Sequence, residues 1–151
     1  MKILIVYATN SGGTESAVKH LSSVLEKNGH QTTLINPKEI NTELIKSSDT
    51  IILASPSWDF DTKEGQPHED FHAILEETDI KKYAGRKFAI LGLGDSSYTY
   101  FCGAVDVLEQ FVKTVGGTII TPSLRIDGYF SAMEESNDKI TQWASTLLGA
   151  V

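Results

Sequence analysis

Three short segments of the 151-residue sequence hold the residue types that could do chemistry, and each follows an apolar run. The first is Thr9-Asn10-Ser11-Gly12-Gly13-Thr14, which leads straight into a helical pattern. Backbone N–H groups at a helix start lack intrahelical acceptors and carry the positive end of the dipole, so they suit a phosphate. The glycines allow the turn and a close backbone approach, while Thr9, Ser11 and Thr14 add hydroxyl donors. No Lys follows the last glycine, so this is not a Walker loop. It contains no cation, and a phosphate here is held by neutral dipoles. The same residues also suit a plain Ser/Thr helix cap over a flexible turn. The second segment, Ser55-Pro56-Ser57-Trp58-Asp59-Phe60-Asp61, sets two aromatic rings in polar surroundings. The third runs Gly92-Leu93-Gly94-Asp95-Ser96-Ser97-Tyr98-Thr99-Tyr100-Phe101-Cys102-Gly103. It lacks the third glycine of a G-x-G-x-x-G dinucleotide turn and the last glycine of a G-x-S-x-G nucleophile elbow. What remains is a small-residue turn rich in aromatics, in which Tyr98 either caps a core or stacks on a planar ligand.

The elements between these segments alternate. Apolar runs at Lys2–Tyr7, Gln31–Asn36, Thr50–Ser55, Lys87–Gly92 and Thr118–Thr121 read as strands, the last interrupted by Pro122. Helical periodicity covers about 14–28, 41–46, 67–77, 103–115 and 132–148, with Pro67 suited to a first turn. This predicts one α/β domain over residues 1–151, a doubly wound three-layer α-β-α sandwich on a five-stranded parallel sheet. Ligands of such sheets bind outside the carboxyl ends of the strands, where strand order reverses. The three segments follow strands one, three and four, which brings an anion-binding turn against two aromatic loops. That makes a slot for a flat ring with a phosphate on a tail. FMN has this form, whereas a nicotinamide dinucleotide needs a second phosphate site that the sequence does not show.

Composition narrows the classes. Thirteen Lys and Arg against 20 Asp and Glu give a formal charge of −7, which argues against nucleic acid and anionic membrane as partners. The lone cysteine, Cys102, excludes an internal disulfide or a Cys-based zinc site, and with the N-terminal Met1-Lys2 opening it predicts a cytoplasmic protein. His20, His30, His68 and His72 form no metal pattern beyond one i, i+4 pair and read as surface residues. From Ser57 to Asp79 the acids Asp59, Asp61, Glu64, Glu69, Asp70, Glu76, Glu77 and Asp79 face Lys63 alone, so this segment carries the whole net charge.

The sequence resembles the flavodoxins along essentially its whole length, in their short-chain form. Thr9-Asn10-Ser11-Gly12-Gly13-Thr14-Glu15 is similar to their T-x-[ST]-G-x-T-E phosphate loop, and Gly94-Asp95-Ser96-Ser97-Tyr98 through Tyr100-Phe101-Cys102-Gly103-Ala104-Val105-Asp106 is a specific match. Leu124-Arg125-Ile126-Asp127-Gly128 recurs in that form too. The resemblance implies the strand order 2-1-3-4-5 and bound FMN. It implies that Thr9 to Thr14 hold the phosphate and that Trp58 and Tyr98 flank the isoalloxazine. The remaining expected contacts are Ser55, Pro56, Ser57, Asp59 and Phe101, Tyr100 beside the ribityl chain, and the backbones of Gly94, Asp95 and Cys102 at the pyrimidine edge. Two departures stand out. Pro56 occupies a position where the family often has a hydroxyl, and Asp59 follows the tryptophan where glycine is common. In the family that peptide flips to offer its carbonyl to flavin N5–H, a conformation glycine tolerates best.

The resemblance implies a low-potential one-electron carrier, a monomer that shuttles electrons between redox enzymes bearing basic docking patches. The protein contributes no acid–base chemistry in this reading, because the flavin does the redox work. Asp59 and Asp61 are the acids expected to act on the flavin, and Glu76 and Glu77 read as a solvated face. The alternative is a flavodoxin-like NAD(P)H or quinone oxidoreductase, which needs a substrate pocket that 151 residues leave little material to build.

Overall fold

The computed structural model describes residues 1–60 and 63–150; Asp61 and the Phe60 side chain lie outside the described part. In chain order the elements are β1 (Lys2–Tyr7), α1 (Gly13–Lys27), β2 (Gln31–Ile35), α2 (Thr42–Ser47), β3 (Thr50–Pro56), β4 (Trp58–Phe60) and β5 (Lys63–Gln66). They continue with α3 (His72–Leu75), β6 (Lys87–Gly94), α4 (Gly103–Thr114), β7 (Thr118–Ile119), β8 (Leu124–Asp127) and α5 (Met133–Gly149).

Alternation along the buried strands decides which layer each side chain joins. Ile3, Ile5, Ile52, Ala54, Ala89 and Leu91 point to one face, where Ala17, Val18, Leu21 and Leu25 of α1 meet Ile140, Trp143, Ala144 and Leu147 of α5. Leu4, Val6, Ile51, Leu53, Phe88 and Ile90 point to the other, against Val105, Leu108, Phe111 and Val112 of α4 and against Phe71 and Ile74. The parallel sheet runs β2-β1-β3-β6-β7, with β8 also pairing to β6. This is the α-β-α sandwich expected, in the order 2-1-3-4-5 once β7 and β8 are taken as one interrupted fifth strand.

Three local readings are corrected. The fifth strand does not end at Thr121: it breaks after Ile119 and resumes at Leu124–Asp127, pairing Leu91 with Leu124 and Gly94 with Asp127. Pro122 has no N–H to give the ladder, so the break falls around it. The helix expected over 67–77 is a 3-10 turn at Glu69–Phe71 followed by the single turn of α3, and Pro67 lies before both. Beyond that turn Glu77 engages Lys82 and accepts from Tyr83 Oη at 2.9 Å, which draws the chain away from a helical course. The segment after β3, read as a loop, is an antiparallel hairpin of β4 and β5 with Trp58 opposite Gln66. Strands of three and four residues are too short for alternation to reveal them.

Register aligns the ends that matter. Pro56 at the end of β3 stands beside Leu93 near the end of β6, and Ser57 N–H donates to Leu93 O at 2.9 Å. On the other side Tyr7 pairs with Ala54. The loops after β1, β3 and β6 therefore leave the sheet side by side.

Candidate functional site

Between β1 and α1 the chain turns on a short hydrogen-bonded loop. Thr9 Oγ1 accepts the Gly12 N–H at 2.9 Å, and Gly12 takes a left-handed conformation at φ 89°. The Ser16 amide finds the first helical acceptor, Gly12 O at 3.0 Å. The N–H groups of Gly13, Thr14 and Glu15 thus stand at the open positive end of a 15-residue helix. Thr14 is 2% exposed, and its Oγ1 is buried with no hydrogen-bond partner. Leaving a buried hydroxyl unpaired costs about 1–3 kcal/mol, and an anionic oxygen at this helix start would satisfy it. A cavity of about 270 Å³ opens over these groups. Thr9, Asn10, Ser11, Gly13 and Thr14 form its floor, with Pro56, Ser57, Gly94 and Asp95 on one flank and Gly128 to Ser131 on the other.

A second cavity of about 270 Å³ adjoins it, sharing Ser57 and Asp95. Trp58, Asp59, Glu64 and Gly65 of the hairpin form one wall, and Tyr98, Tyr100 and Cys102 the other. Tyr98 and Tyr100 are 55% and 62% exposed, so neither caps the core. Trp58 Nε1, by contrast, is buried without an acceptor.

The two walls are fixed to each other. The carbonyl of Gly65 would lie 2.7 Å from a β-carbon built on Gly103, so the hairpin backbone rests directly on the start of α4. Tyr100 N–H donates to Glu64 Oε1 at 3.3 Å, and Ala104 N–H to Ser57 Oγ at 2.9 Å. Within the aromatic turn, Asp95 Oδ1 accepts from Ser97 N–H at 2.8 Å and Asp127 Oδ1 from Ser96 N–H at 3.0 Å. The Ser97 amide and hydroxyl hold the Asp95 carboxyl, and the Ser96 hydroxyl and amide the Asp127 carboxyl, below the usual carboxylate range. Cys102, at φ 51°, is the only non-glycine among the described residues in the left-handed region. Arg125 holds it there, donating to Cys102 O and Asp106 Oδ1 at 2.8 Å each. Burial pushes the Cys102 thiol up to about 12.

Fourteen of the seventeen residues expected at the site therefore line one of the two cavities. Gly12, Ser55 and Phe101 do not. Gly12 shapes the turn, and Phe101 packs against the core. Ser55 is fully buried, its hydroxyl accepting from His68 N–H at 2.9 Å and donating to Pro56 O at 2.8 Å. His68 itself corrects a reading, since it is no surface residue. It is 8% exposed, and its ring stacks on Trp58 at 5.6 Å between centroids and 10° between planes. Asp70 N–H donates to its Nδ1 at 3.0 Å and fixes the ring there. Glu64 and Arg125, noted only within the acidic run and the Leu124–Gly128 stretch, also build the site, and the sequence reading missed Gly65 and the Tyr129-Phe130 pair, whose aromatic types after Gly128 were the available signal.

The family model described as flavodoxin matches residues 5–140. The chain is 32% identical over 145 residues to a flavodoxin of Maridesulfovibrio salexigens, covering 95% of this chain and 94% of that one. Oxidised flavodoxin 2 of Bacillus cereus matches with a TM-score of 0.82 at 32% identity, over 100% of both chains. A mutant flavodoxin of Fusobacterium nucleatum, bound to flavin mononucleotide, matches with a TM-score of 0.80 at 20% identity over 98% of this chain and 95% of that one. With this sequence, sheet order and groove, the chain belongs to the flavodoxin family.

Proposed function

We infer that this protein is an FMN-dependent, low-potential one-electron carrier between redox enzymes. The observation that carries this reading is the orphaned, buried Thr14 hydroxyl at an open helix start, in a cavity that adjoins an aromatic slot walled by Trp58, Tyr98 and Tyr100. FMN supplies the electron chemistry when bound. The helix-start amides, with the hydroxyls of Ser11 and Thr14, hold its phosphate. Because Thr9 Oγ1 already accepts from Gly12, its own O–H is left to donate toward the same place. Trp58 and Tyr98 flank the ring, Tyr100 lies by the ribityl chain, and the backbones of Gly94, Asp95 and Cys102 meet the polar edge.

Among the described residues, the ring end is walled by Asp59, Glu64 and Asp95 and by no Lys or Arg. A unit charge at ~10 Å and an effective dielectric of ~20 opposes added negative charge by roughly 1.7 kcal/mol. Several together push the potential down. The same acids offer a negative rim to a basic patch on a partner, which steers encounter. A single domain acting as a monomer suffices for this, and no side chain is asked to move a proton. Among the described residues no helix is long and apolar enough to cross a membrane.

Thr14→Val tests the phosphate end. It removes the hydroxyl and keeps the shape, so FMN affinity measured by flavin-fluorescence quenching falls about 10- to 100-fold, as for a hydrogen bond to a charged group. The apoprotein becomes no less stable, because an unpaired buried group is lost. Unchanged FMN affinity contradicts the assignment.

A further inference from the structure

We propose that Phe130 is a lid on the phosphate end of the groove and sets the rate at which FMN leaves; this rests on the FMN reading above. The segment after β8 crosses from one wall of the site to the other. Gly128 N–H donates to Gly94 O at 2.9 Å, and Asp127 accepts from Ser96, so the segment starts tied to the aromatic turn. Tyr129 is buried and anchors the segment by donating its Oη proton to Asn137 Oδ1 at 2.8 Å. Phe130 packs edge-on against Tyr129, at 5.5 Å between centroids and 66°. From there its ring reaches the first residue of α1. A β-carbon built on Gly13 would lie 3.4 Å from Phe130 Cε2 and 3.8 Å from Cδ2.

The ring therefore stands beside the first residue of α1 and lines the same cavity as Thr14, yet it is 53% exposed. Half of the ring is left exposed, so truncating it costs the fold less than truncating a core phenylalanine. The phosphate loop contains no cation, and its N–H dipoles hold an anion well only where water is kept out. An apolar ring over the helix start excludes that water and stands in the exit path. A side chain in place of Gly13 would meet the ring. Pro56, in place of a hydroxyl residue, adds a second apolar group on the opposite flank.

The test compares FMN release from loaded wild type, F130A and F130Y, followed as the rise of free-flavin fluorescence after dilution. Truncating a covering aromatic ring is expected to speed release about tenfold in F130A, with F130Y within about twofold of wild type. The visible spectrum of the bound flavin, which reports the ring end, stays unchanged. Release from F130A within twofold of wild type overturns the proposal. So does an altered flavin spectrum in F130A, which would place the effect at the ring end. A wild-type chain that takes up no FMN fails the underlying reading instead, and is told apart because there is no bound flavin whose release can be followed.

Discussion

Burial keeps the Cys102 thiol protonated up to about pH 12, and its carbonyl is taken by Arg125, so the residue meets a ligand through its amide. Iodoacetamide at pH 8 should leave Cys102 unmodified in the folded protein and label it fully once unfolded; fast labelling of the folded chain refutes this. Asp59 concerns the other wall. It lies at an irregularity of the β4–β5 pairing and outside the left-handed region. A peptide flip there costs aspartate about 1 kcal/mol more than glycine. Asp59→Gly should therefore raise the first one-electron potential by roughly 40 mV, at 59 mV per tenfold for one electron, and so widen the gap between the two. An unchanged gap removes Asp59 from the redox argument. Residues whose role is local, such as Thr9 and Thr14 at a helix start, were legible because cap chemistry is written in adjacent positions. His68 and Phe130 were not, because only tertiary packing brings one behind Trp58 and the other over Gly13.

Among the elements, the long strands and the helices α1, α4 and α5 follow from periodicity alone, since each buries a continuous apolar face. The hairpin does not, although it carries half of the ring slot. Its position depends on the contact between Gly65, at φ 74°, and Gly103, where two backbones meet with no room for a side chain. Gly103→Ala forces a β-carbon against the Gly65 carbonyl. Overpacking of this kind costs about 2 kcal/mol, or roughly 4–8 °C in Tm for a chain of this size. Thermal unfolding measures the loss, and FMN affinity should fall with it because Trp58 and Asp59 ride on the hairpin. A variant as stable as wild type, with wild-type FMN affinity, would show that the hairpin is positioned by something else.

For the whole molecule, the net charge of −7 divides into two uses. Asp70 is bound by Lys38 at 3.1 Å and Asn36 at 2.8 Å, Glu77 by Lys82 and Tyr83, and Glu76 by His72 at 3.4 Å. These pairs tie the segment after the hairpin to the turn at Pro37–Glu39 and to the turn before β6. Asp59 and Glu64 instead line the ring end of the groove, where negative charge bears on the cofactor and on partners. The central claim, a one-electron carrier on FMN, is tested most directly by stepwise anaerobic reduction of the FMN-loaded protein followed by absorbance. The account predicts two resolved one-electron steps, the second at a lower potential than in free FMN. Bleaching in one two-electron step, driven directly by NAD(P)H, would contradict it.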